Sequence, residues 1–110
     1  MTDDLERGFD ALERLVKIAH CDTGQSKRVA NFLLAWWNAE SCGGFDLTGL
    51  WTVDHKIAQD MIAVVNLIAA SQNYPDTYGF RPDFERMVAE WRPELLAPPV
   101  EQVRTTQPRL

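Results

Sequence analysis

Cys42 is the residue of this sequence that is most readily given a chemical role, because two glycines follow it and would leave its thiol accessible. A cysteine nucleophile needs a base at hydrogen-bonding distance, and His55 is a candidate for that base, with Asp46 or Asp54 orienting the imidazole. Spacing along the chain does not establish such a contact, and a loop cysteine outside a known signature is usually incidental. Cys42 and His55 are therefore the catalytic candidates of one alternative function, a small thiol-dependent enzyme.

A metal site would draw on the two histidines and two cysteines of the chain, His20, Cys21, Cys42 and His55. If one continuous helix covers residues 23–40, it holds its two ends about 27 Å apart. His20 and Cys21 then lie at one end and the other pair at the opposite end, so neither end collects the three or four ligands of a zinc site. The same separation excludes a disulfide between Cys21 and Cys42, because the Cα atoms of two disulfide-bonded cysteines lie within about 7 Å of each other. We expect free thiols, no metal and no cofactor.

The charge distribution argues against nucleic acid as a partner. The 110 residues carry a net charge of −5, and residues 41–80 contain four acidic residues but only one basic residue, Lys56. Nucleic-acid-binding domains normally show clustered basic residues. In one alternative, Gln25, Lys27 and Arg28 at the start of a helix contact phosphates, which would make the protein an accessory or regulatory nucleic-acid binder.

The apolar runs of the chain are too short for a membrane span. The longest, residues 61–65 and 67–70, fall far short of the ~20 residues that cross a bilayer. The first thirteen residues are polar and acidic, without the apolar segment of a secretion signal. We expect a cytoplasmic protein without a membrane partner.

Apolar residues recur at helical spacing in four stretches, which predicts an all-α, compact bundle of four main helices. A Gly-rich aromatic loop, residues 41–52, joins the second helix to the third. Asp22 and Gln25 form a capping-box pattern at the start of the second helix. Residues 1–96 are expected to form a single helical domain, and the Pro-containing tail 97–110 is expected to be flexible. The predicted helices are residues 3–19, 23–40, 54–70 and 82–92.

The third helix is predicted to lie at the centre of this bundle. Residues 61–70 are apolar at every position except Asn66. A helix that is apolar nearly all round has to be wrapped by other elements. The first and fourth helices, which are amphipathic, are then outer covers.

The second helix carries two adjacent apolar stripes. One contains Val29, Phe32, Leu33 and Trp36, and the other Ala30, Leu34 and Trp37. Because adjacent positions on a helix point about 100° apart, Trp36 and Trp37 are expected to face different neighbours. The loop 45–51 either covers the second stripe or joins it in an interface with a protein partner or a second copy. The partner-binding candidates are Ala30, Leu34, Trp37, Phe45 and Trp51.

Several segments carry a family resemblance: ALERL at 11–15, TGQSKRVA at 23–30, LAWWNA at 34–39 and YGFRPD at 78–83. Over about residues 9–96 the chain resembles an uncharacterised family of short bacterial proteins. Members of that family are carried largely on plasmids, integrative elements and genomic islands of Proteobacteria. The resemblance implies no activity, cofactor or catalytic residue, only an accessory role such as modulation of host defence, conjugation or plasmid upkeep. The function expected is a non-enzymatic protein–protein interaction module, with a homodimer as one form.

Overall fold

A computed structural model describes residues 2–96, with side chains from Leu5 onward, and contains no β-strand in that range. Its main helices are α1 (Thr2–Ala19), α2 (Gly24–Cys42), α3 (His55–Ser71) and α4 (Arg81–Trp91). Short 3-10 turns cover Leu47–Thr52, Pro75–Tyr78 and Pro93–Leu96. The predicted all-α bundle of four main helices is confirmed.

The sequence predicts a flexible C-terminal tail and no membrane span. The predicted flexible tail, residues 97–110, lies outside the described residues. Within the described residues, no helix combines the length and the apolar composition that a bilayer span requires.

α1 lies between α2 and α3 and packs on both. Its apolar residues follow helical spacing, and the prediction that it is only an outer cover is wrong. Because the apolar stripe of α1 is several positions wide, it can contact helices on two sides, whereas a narrower apolar stripe contacts only one helix. From Leu5 onward, five of its apolar side chains are buried: Ala11, Leu12, Leu15, Val16 and Ala19.

α2 is packed on two sides, by α1 and by α4, as its two stripes predict. The helix is nevertheless not continuous, because Asn38 has φ −163° and ψ 81°, outside the helical region. After this break the chain returns along α2, and Phe45 of the loop packs edge-on against Phe32 with ring centroids 5.4 Å apart. The expectation of an unbroken helix through residue 40 is therefore wrong.

α3 is not the central helix, although it is the most apolar of the four. Met61, Val64 and Leu67 are buried, but Ile62 is 52% exposed and Val65 is 49% exposed. The prediction of a helix wrapped on all sides is therefore wrong. Of the main helices in the described range, only α1 packs extensively on α3, and it covers one face.

The α1–α3 contact is close and antiparallel. A Cβ atom at Gly8 would lie 2.7 Å from the Leu67 Cβ atom, so the absence of a side chain there lets the two helices approach. One turn and a half further along α1, the Arg14 guanidinium donates two hydrogen bonds of 2.9 Å to the carboxylate of Asp60. These contacts fix the register of α3 on α1.

α4 packs its buried Phe84 against both tryptophans of α2. The Phe84 ring centroid lies 6.2 Å from that of Trp36 and 5.7 Å from that of Trp37, each pair edge to face. The expectation that the two indoles face different neighbours is wrong. Two large rings that diverge by about 100° still leave a gap between them that a third ring can fill.

Candidate functional site

Cys42 ends α2 and is 6% exposed, so the two glycines that follow it do not make its thiol accessible. Its carbonyl oxygen accepts a hydrogen bond of 2.9 Å from the Arg92 Nε. Burial raises the pKa of the Cys42 thiol, and the neighbouring positive charge of Arg92 opposes that shift. A buried thiol with a raised pKa is the opposite of an activated nucleophile.

His55 is the first residue of α3 and is exposed. In the described part of the chain, no hydrogen bond joins its imidazole to Cys42. The structure therefore does not bring the two catalytic candidates together as a dyad. Of the two proposed orienters, Asp54 is instead bonded to Gln25, and Asp46 accepts hydrogen bonds from Thr48.

The other two potential metal ligands of the sequence have separate roles. His20 follows α1 and lies between two carboxylates of α4, with its Nε2 3.1 Å from Asp83 and its Nδ1 3.4 Å from Glu90. Cys21 is exposed, and both Cys21 and Cys42 are free thiols. No group of three or more His, Cys, Asp or Glu within residues 5–96 is arranged to hold a metal ion.

The return of the chain along α2 brings the start of α3 to the start of α2. The Gln25 side chain accepts a 2.5 Å hydrogen bond from the Asp54 backbone N–H and donates one of 3.3 Å to the Asp54 carboxylate. Gln25 therefore caps α3 rather than its own helix, whose N-cap is Thr23, with its Oγ1 accepting from the Ser26 N–H. The predicted capping box of Asp22 with Gln25 is wrong.

The basic residues at the start of α2 border a polar recess. Arg28 donates to the carbonyl of Gly24, and Lys27 is exposed. Between this turn of α2 and the returning loop lies a recess of about 370 Å³, with Asp46 and Thr48 on its other wall. Asp46 shares this recess with Lys27 and Arg28, and Gln25 is used within the fold, so the two bases do not form an uninterrupted basic patch of the kind that contacts phosphates.

Two partner-binding candidates on α2 belong to the core. Ala30 and Leu34 are 0% exposed, so neither offers a side chain to another molecule. Trp37 is half-buried against Phe84, and its indole N–H donates a 2.7 Å hydrogen bond to Asp76. α4 and the Pro75–Tyr78 turn thus contact Trp37, whereas Phe45 of the loop packs on Phe32 of the other stripe.

The two partner-binding candidates in the loop, Phe45 and Trp51, point in opposite directions, one toward the core and one toward solvent. Phe45 turns toward Phe32 and packs at the edge of the core. Trp51 lies in the Leu47–Thr52 turn and is 83% exposed, and Leu47 in the same turn is 73% exposed. We call Leu47 and Trp51 the outward turn surface.

The structure adds a second exposed apolar surface that the sequence analysis missed. Ile62 and Val65 project from the outer face of α3 together with the smaller Ala58 and Ala69. The signal was present in the spacing, since positions 58, 62, 65 and 69 repeat by four, three and four residues. We call these four residues the outer seam of α3.

Comparison with known proteins places the chain in a family. Neither the curated proteins nor the solved structures contain a match. A family model described as "Family of unknown function (DUF7673)" matches residues 9–92, from the second turn of α1 to the end of α4. Because this match covers well over half of its length, the chain belongs to this family of unknown function.

Proposed function

We propose that this chain is a non-enzymatic protein-interaction module and that the outward turn surface, Leu47 and Trp51, is its contact with a protein partner. The observation that carries the proposal is the 83% exposure of Trp51. Tryptophan is the residue most enriched among interface anchors, and its burial in a partner contributes a large apolar area. An indole held in water on an ordered turn favours such a role.

The turn that presents Trp51 is ordered by its own hydrogen bonds, and the residues that follow it are bonded to α2. At its start, the Thr48 hydroxyl and backbone N–H both donate to Asp46, which lowers the pKa of that carboxyl. At its end, the Thr52 hydroxyl donates to the Gly49 carbonyl, and Asp54 is bonded to Gln25. A pre-ordered contact residue loses little freedom on binding, which favours affinity.

Charge narrows the chemistry of the partner. Asp46 precedes the turn and Asp54 follows it, and both are exposed. We therefore propose a protein that offers an apolar recess for the indole with basic groups at its rim. The accessory role on a mobile element of Proteobacteria and the cytoplasmic location, both expected from the sequence, are part of this proposal.

Photocrosslinking tests the proposal. A benzophenone amino acid replaces Leu47, the protein is expressed in its native host, and crosslinked products are compared in the presence and absence of Trp51→Ala. We expect one dominant protein adduct, at least about tenfold weaker with Trp51→Ala. Tyr74→Ala is the matched control, because Tyr74 is 62% exposed but lies in another connector, and it should leave the adduct unchanged.

The captured protein is then purified and titrated against the wild-type chain and both variants. A Kd raised at least about tenfold by Trp51→Ala alone supports the proposal. Adducts that are insensitive to Trp51→Ala, or equally weakened by Tyr74→Ala, contradict it.

A further inference from the structure

We infer that a second copy of this chain pairs with the outer seam of α3, helix against helix and antiparallel. This surface is distinct from the outward turn surface, so the inference stands apart from the proposed function. The seam is apolar, with Ile62 and Val65 about half exposed at its middle, Ala69 exposed and Ala58 half-buried. Exposing an apolar helix face to water is unfavourable in free energy unless another element covers that face.

The spacing of the seam is that of a two-helix interface. Ala58, Ile62, Val65 and Ala69 follow the alternating four- and three-residue repeat of coiled-coil core positions. His55 extends the same repeat at the start of the helix and is exposed, and the helix ends at Ser71, before the next position of the repeat. The inner face of α3, with Met61, Val64 and Leu67, is already buried within the chain. α3 therefore carries one packed face and one face spaced for a second helix.

The order of residue sizes along the seam makes it complementary to itself. In an antiparallel pair centred between positions 63 and 64, Ile62 of one copy lies opposite Val65 of the other, and the reciprocal contact forms by symmetry. Ala58 then lies opposite Ala69, so small residues meet small ones at both sides of the centre. The exposed polar residues at the two ends of α3, His55 and the C-cap Gln72, then lie at the rim of the pair.

Charge favours a second copy over an unrelated charged partner. From residue 61 to residue 75 the chain has no charged residue, although its net charge is −5. Antiparallel pairing places Lys56 near the uncharged end of the partner helix around Ser71, so no like charges meet across the seam. Two copies of an acidic chain repel each other electrostatically, and pairing through the uncharged part of α3 keeps this repulsion small.

Sedimentation equilibrium over a range of concentrations tests the pairing. We expect a dimer with micromolar affinity and a Kd at least about tenfold higher for Ile62→Glu. Ala70→Glu is the matched control, since Ala70 is exposed on the same helix but off the seam and gains the same charge. Circular dichroism verifies that both variants keep the helical content of the wild type.

Mixed disulfide formation tests the register in a Cys21→Ser background, which removes the exposed native thiol. We expect Ile62→Cys mixed with Val65→Cys to crosslink faster than either variant with itself, and Ala70→Cys not to crosslink. A chain that stays monomeric at every concentration, or a dimer that Ile62→Glu does not weaken, overturns the inference. A dimer lost only with Trp51→Ala would assign self-association to the outward turn surface and overturn the α3 pairing while keeping an interaction role.

Discussion

Gly8 lies where α1 packs directly on α3, and its missing side chain can be tested. Alanine favours a helix interior by about 0.5–1 kcal/mol over glycine, but forced overpacking costs about 1–3 kcal/mol. A Cβ at position 8 would lie 2.7 Å from the Leu67 Cβ and 3.3 Å from the Ala63 carbonyl oxygen. Because these contacts are too close, the cost of overpacking exceeds the gain in helix propensity. We expect Gly8→Ala to lower the free energy of unfolding by about 1–2 kcal/mol in urea denaturation.

Gly24→Ala is the control for this substitution. A Cβ at position 24 would meet only the end of the Arg28 side chain, at 3.6 Å. Its stability should be unchanged or raised by up to about 1 kcal/mol, because alanine restricts the unfolded chain. Equal losses from the two variants would contradict the close α1–α3 contact.

The two thiols should differ in reactivity in a way that bears on the enzyme alternative. Cys21 is exposed, whereas burial raises the pKa of Cys42 and so lowers its thiolate fraction at any given pH. With iodoacetamide near neutral pH we expect one thiol to be labelled rapidly and the other only after unfolding. Mass spectrometry assigns the sites, and fast labelling of Cys42 in the folded Cys21→Ser variant would reverse this interpretation.

Among the elements, α3 shows what local pattern can and cannot predict. Its bounds, His55–Ser71, lie within one residue of those expected, because apolar spacing and the polar residues before it determine where the helix starts. Its central position was wrong, since an apolar face looks the same in the sequence whether the same chain or another molecule covers it. The break of α2 at Asn38 was missed for a different reason, because asparagine gives no strong local stop signal.

The start of α3 depends on a residue from another helix. Gln25 supplies the acceptor for the Asp54 N–H and has no equivalent in the α3 sequence itself. Loss of a capping interaction costs about 0.5–2 kcal/mol. We expect Gln25→Ala to lower the free energy of unfolding by about 1 kcal/mol, measured by urea denaturation. Gln59→Ala, at an exposed position in the second turn of α3, should change the free energy of unfolding little. A similar loss at both positions would contradict the capping role.

Among the contacts between α4 and α2, Phe84 packs its ring between two indoles. Phe84 is fully buried and contacts Trp36 and Trp37, so its removal leaves a cavity that neither ring can fill alone. We expect Phe84→Ala to cost about 3–5 kcal/mol and to shift tryptophan fluorescence to longer wavelength. Tyr74→Ala, at an exposed position, should cost far less, and comparable losses would contradict a major packing role for Phe84.

At the scale of the whole molecule, the fold class was predictable and the candidate site largely was not. Helical periodicity predicted four helices, but burial of Ala30 and Leu34 depends on which neighbours cover α2, a property of the assembled bundle. Trp51 alone of the partner-binding candidates remains largely exposed, because its turn packs Leu50 inward and leaves the indole outside. Ile62 and Val65 were assigned to the core, since their apolarity was interpreted as intramolecular burial.

α3 has one apolar face inside the bundle and one outside, and this is the central feature of the architecture. Neighbouring cysteine variants, Val64→Cys and Val65→Cys in the Cys21→Ser background, test this by their rates of reaction with a disulfide reagent at low protein concentration. Val64 is 0% exposed and Val65 is 49% exposed, so we expect fast reaction at position 65 and reaction at position 64 only on unfolding. Slow reaction at both positions in the folded monomer would mean that α3 is wrapped on all sides and would contradict the account.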